Sequence, residues 1–401
     1  MFESLEKLQP DPILGLIAAF RDDPRSDKVD LGAGVYRTEN GATPVLDSVK
    51  AAERQILDTQ DTKTYTGSEG EARFNALMQS LIFGEDHPAA RDGRIWTIQT
   101  PGGSGALRIA AWLLLRAEKS RRVWVTDPTW ANHVPLLGSA GLELEVYPFY
   151  DRETGGVRFD DMLETLERVP EGDTILLHAC CHNPTGADLS ASQWETVADL
   201  LERRQLLPFL DMAYQGFARG LDADVSVVRA YAERFEELIV ASSCSKNFGL
   251  YRDRVGALSV ITRNREAAAA SWSQAVNIVR RVYSVPPNHG AAIVGTVLEQ
   301  TDMRATWRDE LEAMRIRLND NRHKLAAALA ARIDHRDFSH LPRGFGMFSL
   351  LGLSQDEVDR LRDDFAVYMV GSSRINIAGV SAANVDYLAD SIASVCATTG
   401  A

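Results

Sequence analysis

Lys246 stands in the hydroxyl-rich stretch Ser242-Ser243-Cys244-Ser245-Lys246-Asn247-Phe248-Gly249, directly after the apolar run Leu238-Ile239-Val240-Ala241. Such a run reads as a buried parallel strand, and ligands of open α/β sheets collect beyond the carboxyl ends of such strands. An amine and several hydroxyls would then face a cleft. Three further strand ends carry polar groups. The run Leu206 to Asp211 delivers a carboxylate, with Tyr214 three residues later. His182-Asn183-Pro184-Thr185-Gly186 is a tight turn that presents Asn183. Thr100-Pro101-Gly102-Gly103-Ser104-Gly105-Ala106 is a glycine-rich turn opening a helix, and its free amides and positive helix end suit an anion. It is not a Walker loop, and Arg108 occupies the last glycine position of the dinucleotide fingerprint.

Each group also has an ordinary reading: a helix cap for the aspartate, turn chemistry for Asn-Pro-Thr-Gly, a solvated loop for the lysine. Together they meet the needs of pyridoxal phosphate. Its aldehyde requires an amine for a Schiff base, its ring nitrogen an anionic partner, and its phosphate a set of donors. Lys246, Asp211 and the Gly102 to Gly105 turn supply these, and Arg254 offers a charge-assisted phosphate contact, unless it is a surface ion pair with Asp253. His178-Ala179-Cys180-Cys181-His182 suggests zinc, but on an extended strand Cys180 and Cys181 point to opposite faces, and no second ligand pair follows at finger spacing. No metal site is expected.

These residues need a scaffold, and the chain's pattern provides one. Apolar runs at Ile95 to Gln99, Val123 to Thr126, Leu142 to Tyr147, Thr174 to Cys180, Leu206 to Asp211, Leu238 to Ser242 and Gly256 to Ile261 predict seven strands. Amphipathic segments such as Ala106 to Glu118, Ser192 to Arg203 and Ser226 to Phe235 predict helices between them. The expected fold is α/β, a large domain with a mostly parallel seven-stranded sheet flanked by helices, plus a smaller α+β domain. That smaller layer would follow Thr306: a long charged helix Trp307 to Ala331, short strands around Gly346 to Leu350 and Ser373 to Ile377, and a last helix from Val380 to Cys396. Pro10 and Pro12 make the opening segment an extended arm.

Composition bounds the function. The 401 residues suggest two or three domains on a prior of about 150 residues each, and 45% hydrophobic with 25% charged residues is ordinary for an enzyme-sized globular protein. A net charge of −13 argues against a nucleic-acid partner. No apolar run is long enough to span a bilayer, and the N-terminus, with Glu3 and Glu6, does not read as a signal or transit peptide. Cys180, Cys181, Cys244 and Cys396 are too few for a disulfide framework, which fits a reducing cytoplasm.

Four longer motifs carry a resemblance: Ser243 to Tyr251, Cys181 to Gly186, Asp211 to Phe217, and Ser373-Arg374-Ile375-Asn376-Ile377-Ala378-Gly379. In this order they resemble the aspartate and aromatic amino acid aminotransferases, fold-type I pyridoxal phosphate enzymes, from about Asp11 to the last helix. The resemblance implies Lys246 as the Schiff-base lysine, Asp211 on the pyridine nitrogen, and Tyr214 and Asn183 on the phenolic oxygen. Trp130 would stack on the ring; Gly103, Ser104, Ser243, Ser245 and Arg254 would hold the phosphate, with Tyr65 reaching in from a neighbouring subunit; His133 and His178 would stand behind Asp211. Arg374 would bind the α-carboxylate, Arg280 would cross from the partner to a distal carboxylate, and Gly34 and Phe348 would line the substrate side. The implied assembly is a homodimer with shared active sites. The implied division is an arm at 1–12, a small domain from 13–44 and 314–401, and a large cofactor domain at 45–313.

The implied reaction is a two-stage ping-pong transfer of an amino group from an aromatic amino acid and/or aspartate to 2-oxoglutarate. Arg280 favours dicarboxylates, whereas Cys244 and Val285, standing where aspartate enzymes of the family often carry tyrosine and asparagine, together with the Tyr368 to Gly371 approach to Arg374, favour an aromatic or dual specificity. A strict aspartate aminotransferase, another reaction on the same cofactor, and a non-catalytic cofactor- or ligand-binding protein on this fold are the alternatives.

Overall fold

The computed structural model describes residues 1–8, 12–117 and 122–397. Eleven strands occur among them: β1 (Val29–Asp30), β2 (Ile95–Pro101), β3 (Arg122–Asp127), β4 (Glu143–Pro148), β5 (Thr174–His178), β6 (Leu207–Met212), β7 (Leu238–Ser243), β8 (Val255–Ile261), β9 (Phe348–Leu350), β10 (Val367–Tyr368) and β11 (Arg374–Asn376). Seven of them form one sheet in the order β2-β8-β7-β6-β5-β3-β4. β8 runs antiparallel to both neighbours, and the pairs from β7 to β4 are parallel.

Sequence explains which strands are central. β5, β6, β7 and β8 are apolar on successive residues and almost wholly buried, because helices cover both faces of the sheet. The two-residue period then divides each strand between two cores: Phe209, Ile239 and Ala241 pack on one face, Leu210, Leu238 and Val240 on the other. At the edge, only Tyr147 of β4 is buried, and its other positions are exposed or half-buried. Helices start where the sequence supplies caps. Ser190 and Gln193 form a capping box at the head of the Ala191–Arg203 helix, and Ser354 and Glu357 do the same for Gln355–Phe365.

The strands outside the large sheet join the two ends of the chain. β1 pairs in parallel with β10, and β9 pairs antiparallel with β11. The backbone N–H of Asn376 donates to the Leu31 carbonyl, so the segment after β1 lies beside β11. The 30-residue helix Thr301–Ala330 reaches across this region: Asn321 donates to the carbonyls of Ile377 and Val380, and Arg317 to those of Arg37 and Val380. The Ile377–Gly379 turn is 3₁₀, so the last helix begins at Val385 rather than at Val380. Of the opening arm, Phe2–Ser4 forms a short 3₁₀ turn, Gln9 to Asp11 lie outside the described residues, and a helix runs from Pro12 to Asp22. No helix among the described residues is long and apolar enough to cross a membrane.

Candidate active site

Sheet direction brings the polar strand ends together. β2, β5 and β7 deliver Gly102, Asn183 and Lys246 beyond their carboxyl ends, Asp211 is the penultimate residue of β6, and antiparallel β8 begins at the same edge, directly after Arg254. They surround a cavity of about 190 Å³ lined by Gly34, Gly103, Ser104, Leu107, Trp130, His178, Asn183, Asp211, Ala213, Tyr214, Ser243, Ser245, Lys246, Tyr251 and Arg254.

At one end lies a set of anion donors. The Gly102–Ala117 helix points its N-terminus at the cavity, with Gly103 and Ser104 in its first turn. The Ser243 hydroxyl donates to that of Ser245 at 3.1 Å, and Arg254 Nη1 reaches Ser245 Oγ at 3.4 Å. Arg254 therefore turns into the cavity rather than toward Asp253. Gly102 has φ +71°, and a Cβ there would come within 2.6 Å of the Arg254 guanidinium, so a side chain would displace the cation. This cradle fits a phosphate dianion, the group that a helix N-terminus, hydroxyls and an arginine bind together.

At the other end, Asp211 is buried and its Oδ2 lies 3.0 Å from His133 Nε2. Burial alone would raise its pKa, but the His133 hydrogen bond and the nearby histidines and Lys246 outweigh it, and the carboxyl is held below its usual range. His133 Nδ1 meets Thr129 Oγ1 at 2.7 Å, and Thr129 in turn lies 3.3 Å from His178 Nε2. His178 thus reaches Asp211 through Thr129 and His133. Burial, with His133 beside it, pushes the His178 pKa down to about 3, so the ring is neutral.

Lys246 stands between these ends, its Nζ 4.9 Å from the centre of the Tyr214 ring. Burial lowers its pKa from 10.5 to about 8, with Asp211 opposing and Arg254 and Arg374 assisting. A free amine is therefore accessible near neutral pH. Burial drives the Tyr214 phenol well above its usual range, so it stays protonated. The Asn183 amide is 3.4 Å from the Tyr214 hydroxyl, and its Oδ1 is buried without a partner, which leaves hydrogen-bonding capacity directed at the cavity. The amine, the anion beside a histidine, and the anion cradle match the three groups that pyridoxal phosphate needs.

Arg374 comes from β11. It donates to the Gly32 carbonyl, its Nε is buried without a partner, and its guanidinium lies 4.3 Å from the centre of the Phe348 ring. Gly34 lines the cavity, with Phe348 behind it. Tyr65 and Arg280 are not brought to this cavity: Tyr65 is 91% exposed, and Arg280 is exposed beside Ser284.

Three sequence readings change. Cys180 and Cys181 do not diverge, because β5 stops at His178 and Cys181 takes φ +53°; their sulfurs and a carboxylate oxygen of Asp224 lie within 4.8 Å of one another. Asp224 is already occupied by the N–H groups of Gly216, Ala218 and Arg219. Cys244 does not change the polarity of the cavity, since it is fully buried with its sulfur 3.8 Å from that of Met78. The Tyr368 hydroxyl donates to Asp23 and so belongs to the packing of the smaller layer. Sequence reasoning also gave no role to Tyr251, which lines the cavity and accepts the Tyr36 N–H at 2.8 Å, or to Asp188, whose carboxylate accepts the N–H groups of Cys181 and His182.

The sequence matches the family described as aminotransferase class I and II over residues 26–392. It is 46% identical over 396 residues to an aromatic-amino-acid aminotransferase of Pseudomonas aeruginosa, covering 99% of each chain. It is 45% identical to an aspartate aminotransferase of Escherichia coli, covering 98% of this chain and all of that one. Among solved structures it is similar to the aromatic-amino-acid aminotransferase from Burkholderia pseudomallei covalently bound to pyridoxal phosphate, with a TM-score of 0.96, 44% identity and coverage of 98% and 99%.

Proposed function

The chain belongs to the class I and II aminotransferases and is a pyridoxal phosphate-dependent transaminase, and from that premise we propose which residues do the work and on which substrates. The observation that carries the reading is the meeting, in one cavity, of the Lys246 amine, the Asp211–His133 pair and the cradle of Gly103, Ser104, Ser243, Ser245 and Arg254. When bound, the cofactor supplies an electron sink that weakens the bonds at the substrate α-carbon.

The cradle residues would hold the phosphate, and Trp130 would pack on the ring. Asp211, kept anionic by His133 with His178 behind through Thr129, would pair with the ring nitrogen. Asn183 and Tyr214 would bind the phenolic oxygen. Arg374 fixes the substrate α-carboxylate with the face it leaves free, and Gly34 and Phe348 bound that side. The Lys246 amine, neutral above about pH 8, takes the proton from the substrate α-carbon. Catalysis runs as a two-stage ping-pong cycle.

Tyr65 and Arg280 complete the site from a partner subunit, in a homodimer with the 1–12 arm across its interface. Their exposure in the single chain supports this assignment. Residues 13–44 and 314–401 act as a smaller domain that closes on the 45–313 domain over the substrate. The four free cysteines support a cytoplasmic location.

The substrates proposed are aromatic amino acids and aspartate as donors and 2-oxoglutarate as acceptor. The buried Arg374, with Arg280 for a second carboxylate, supports dicarboxylates, and the near-equal identity to aromatic and aspartate relatives supports dual use. The withdrawal of Cys244 from the cavity keeps a strict aspartate enzyme as the second reading. A panel of aspartate, phenylalanine, tyrosine and tryptophan against 2-oxoglutarate decides. Dual specificity gives comparable kcat/KM for acidic and aromatic donors, and products limited to an oxo acid and glutamate. Turnover of aspartate alone leaves the strict reading, and release of ammonia or carbon dioxide overturns transamination.

A further inference from the structure

Arg322 is wholly buried on the Thr301–Ala330 helix, outside the cavity, and takes part in none of the ion pairs among the described residues. Its guanidinium is held by uncharged groups instead. Nη1 donates to the Leu341 carbonyl at 3.1 Å and the Ser349 hydroxyl at 2.6 Å; Nη2 donates to the carbonyls of Phe345, Gly346 and Phe348 at 2.9, 2.9 and 2.7 Å. Nε has no partner. The buried Asp188 carboxylate offsets part of the charge from a distance, but desolvating a cation without a directly paired carboxylate is costly. An apolar side chain of the same volume would deprive four carbonyls of the guanidinium donors, so the reason for the cation is to be sought in those carbonyls.

The reason lies in what the bonded carbonyls position. Residues 348–350 form β9, which pairs with β11 so that Phe348 lies opposite Asn376 and Leu350 opposite Arg374. The Phe348 ring is the surface on which the Arg374 guanidinium rests. On the other side, Phe345 N–H donates to the Gly186 carbonyl at 2.8 Å, three residues after Asn183. Gly186 has φ +71°, and a Cβ there would come within 2.4 Å of the Phe348 carbonyl and 3.1 Å of Arg322 Nη2. One guanidinium therefore ties the turn that carries Asn183 to the strand pair that carries Arg374.

We propose that Arg322 is a positioning residue for carboxylate binding: by gathering the carbonyls of residues 341–348 it sets Phe348, and through Phe348 the guanidinium of Arg374, in a fixed place. The proposal rests on Arg374 as the carboxylate-binding residue. A cation on an aromatic face loses attraction steeply as the ring is displaced, so the variants act on ligand affinity rather than on cofactor content.

The test uses purified holoenzyme of wild type, Arg322→Lys, Arg322→Gln and Arg322→Met. Binding of maleate and of 3-phenylpropionate is read from the absorbance of the bound cofactor, alongside KM and kcat for aspartate and phenylalanine. Arg322→Met and Arg322→Gln are expected to weaken both carboxylates by about tenfold and to raise KM in proportion, with cofactor content and kcat within about threefold of wild type. Arg322→Lys, which keeps the charge and up to three donors, should fall between. If Arg322→Met does not fold, the Lys and Gln variants carry the same comparison. A role confined to stability would lower the melting temperature and the active fraction while leaving both dissociation constants unchanged, and that outcome overturns the inference. Failure of wild type to bind either carboxylate would instead overturn the reading of Arg374.

Discussion

At the cofactor end of the site, Lys246, Asp211, Asn183 and the Gly102 turn all leave one sheet edge within a few residues of a strand. At the substrate end, Arg374 and Gly34 come from segments more than three hundred residues apart, joined by β1, β10 and the Asn376 bond to Leu31, while Tyr65 and Arg280 stand in solvent. The first end is fixed by strand register, which one chain supplies by itself. The second depends on long-range packing and, in the proposed homodimer, on a second chain. In the proposed reading the proton-transfer chemistry sits on the rigid end, and recognition of the substrate, both its α-carboxylate and its side chain, on the assembled end.

The largest effect should come from the rigid end. Lys246→Ala removes the only amine among the described residues that line the cavity, and general acid–base and nucleophilic roles lost together should lower kcat by about a thousandfold or more. Cofactor should remain bound through the phosphate cradle and Asp211. Single-turnover and multiple-turnover assays of the variant check this, and sustained turnover would remove Lys246 from the mechanism.

The assembled end should divide by substrate. Truncating one partner of a desolvated charge pair costs about 2 to 5 kcal/mol, so Arg374→Ala should lower kcat/KM by about thirtyfold or more for every donor. Arg280→Ala should do so for aspartate and 2-oxoglutarate and leave phenylalanine as a donor little changed. Half-reaction kinetics with each donor separate the two arginines. Equal losses for aspartate and phenylalanine in both variants would erase the distinction between a general and a selective carboxylate site.

The same contrast governs what could be read from the sequence. The seven strands of the large sheet and the cofactor-end residues were legible because runs such as Leu238 to Ser243 are apolar on both faces and end in polar groups. Cys180 and Cys181 were misplaced because Asp188 draws in the N–H groups of Cys181 and His182 and ends β5 early, a contact seven residues away that no strand pattern announces. The last helix starts late because Asn321 and Arg317 hold the turn before it. Arg322 was illegible for a similar reason. In a charged helix an arginine reads as surface, and its acceptors lie 19 to 27 positions onward.

The smallest effect is one that only the rigid end can show. The Lys246 pKa is lowered from 10.5 to about 8 in the folded chain, so below about pH 8 the fold carries the cost of a desolvated ammonium that the unfolded chain does not. Between about pH 8 and 10.5 the folded lysine is neutral while the unfolded one still binds its proton, and stability therefore rises with pH across that window. Burial lowers the Arg374 pKa as well, but a guanidinium keeps its charge throughout this range, so its cost does not change with pH. Lys246→Met in the cofactor-free protein should be more stable than wild type by on the order of 1–3 kcal/mol at pH 7, with the gap closing toward pH 10.5. Arg374→Met removes one of the cations that lower the Lys246 pKa, so its difference from wild type should change with pH over the same range in the same sense as that of Lys246→Met but by less. Urea denaturation of the three proteins at several pH values reads both slopes, and a pH-independent gap for Lys246→Met would mean that Lys246 is solvated like an ordinary surface lysine.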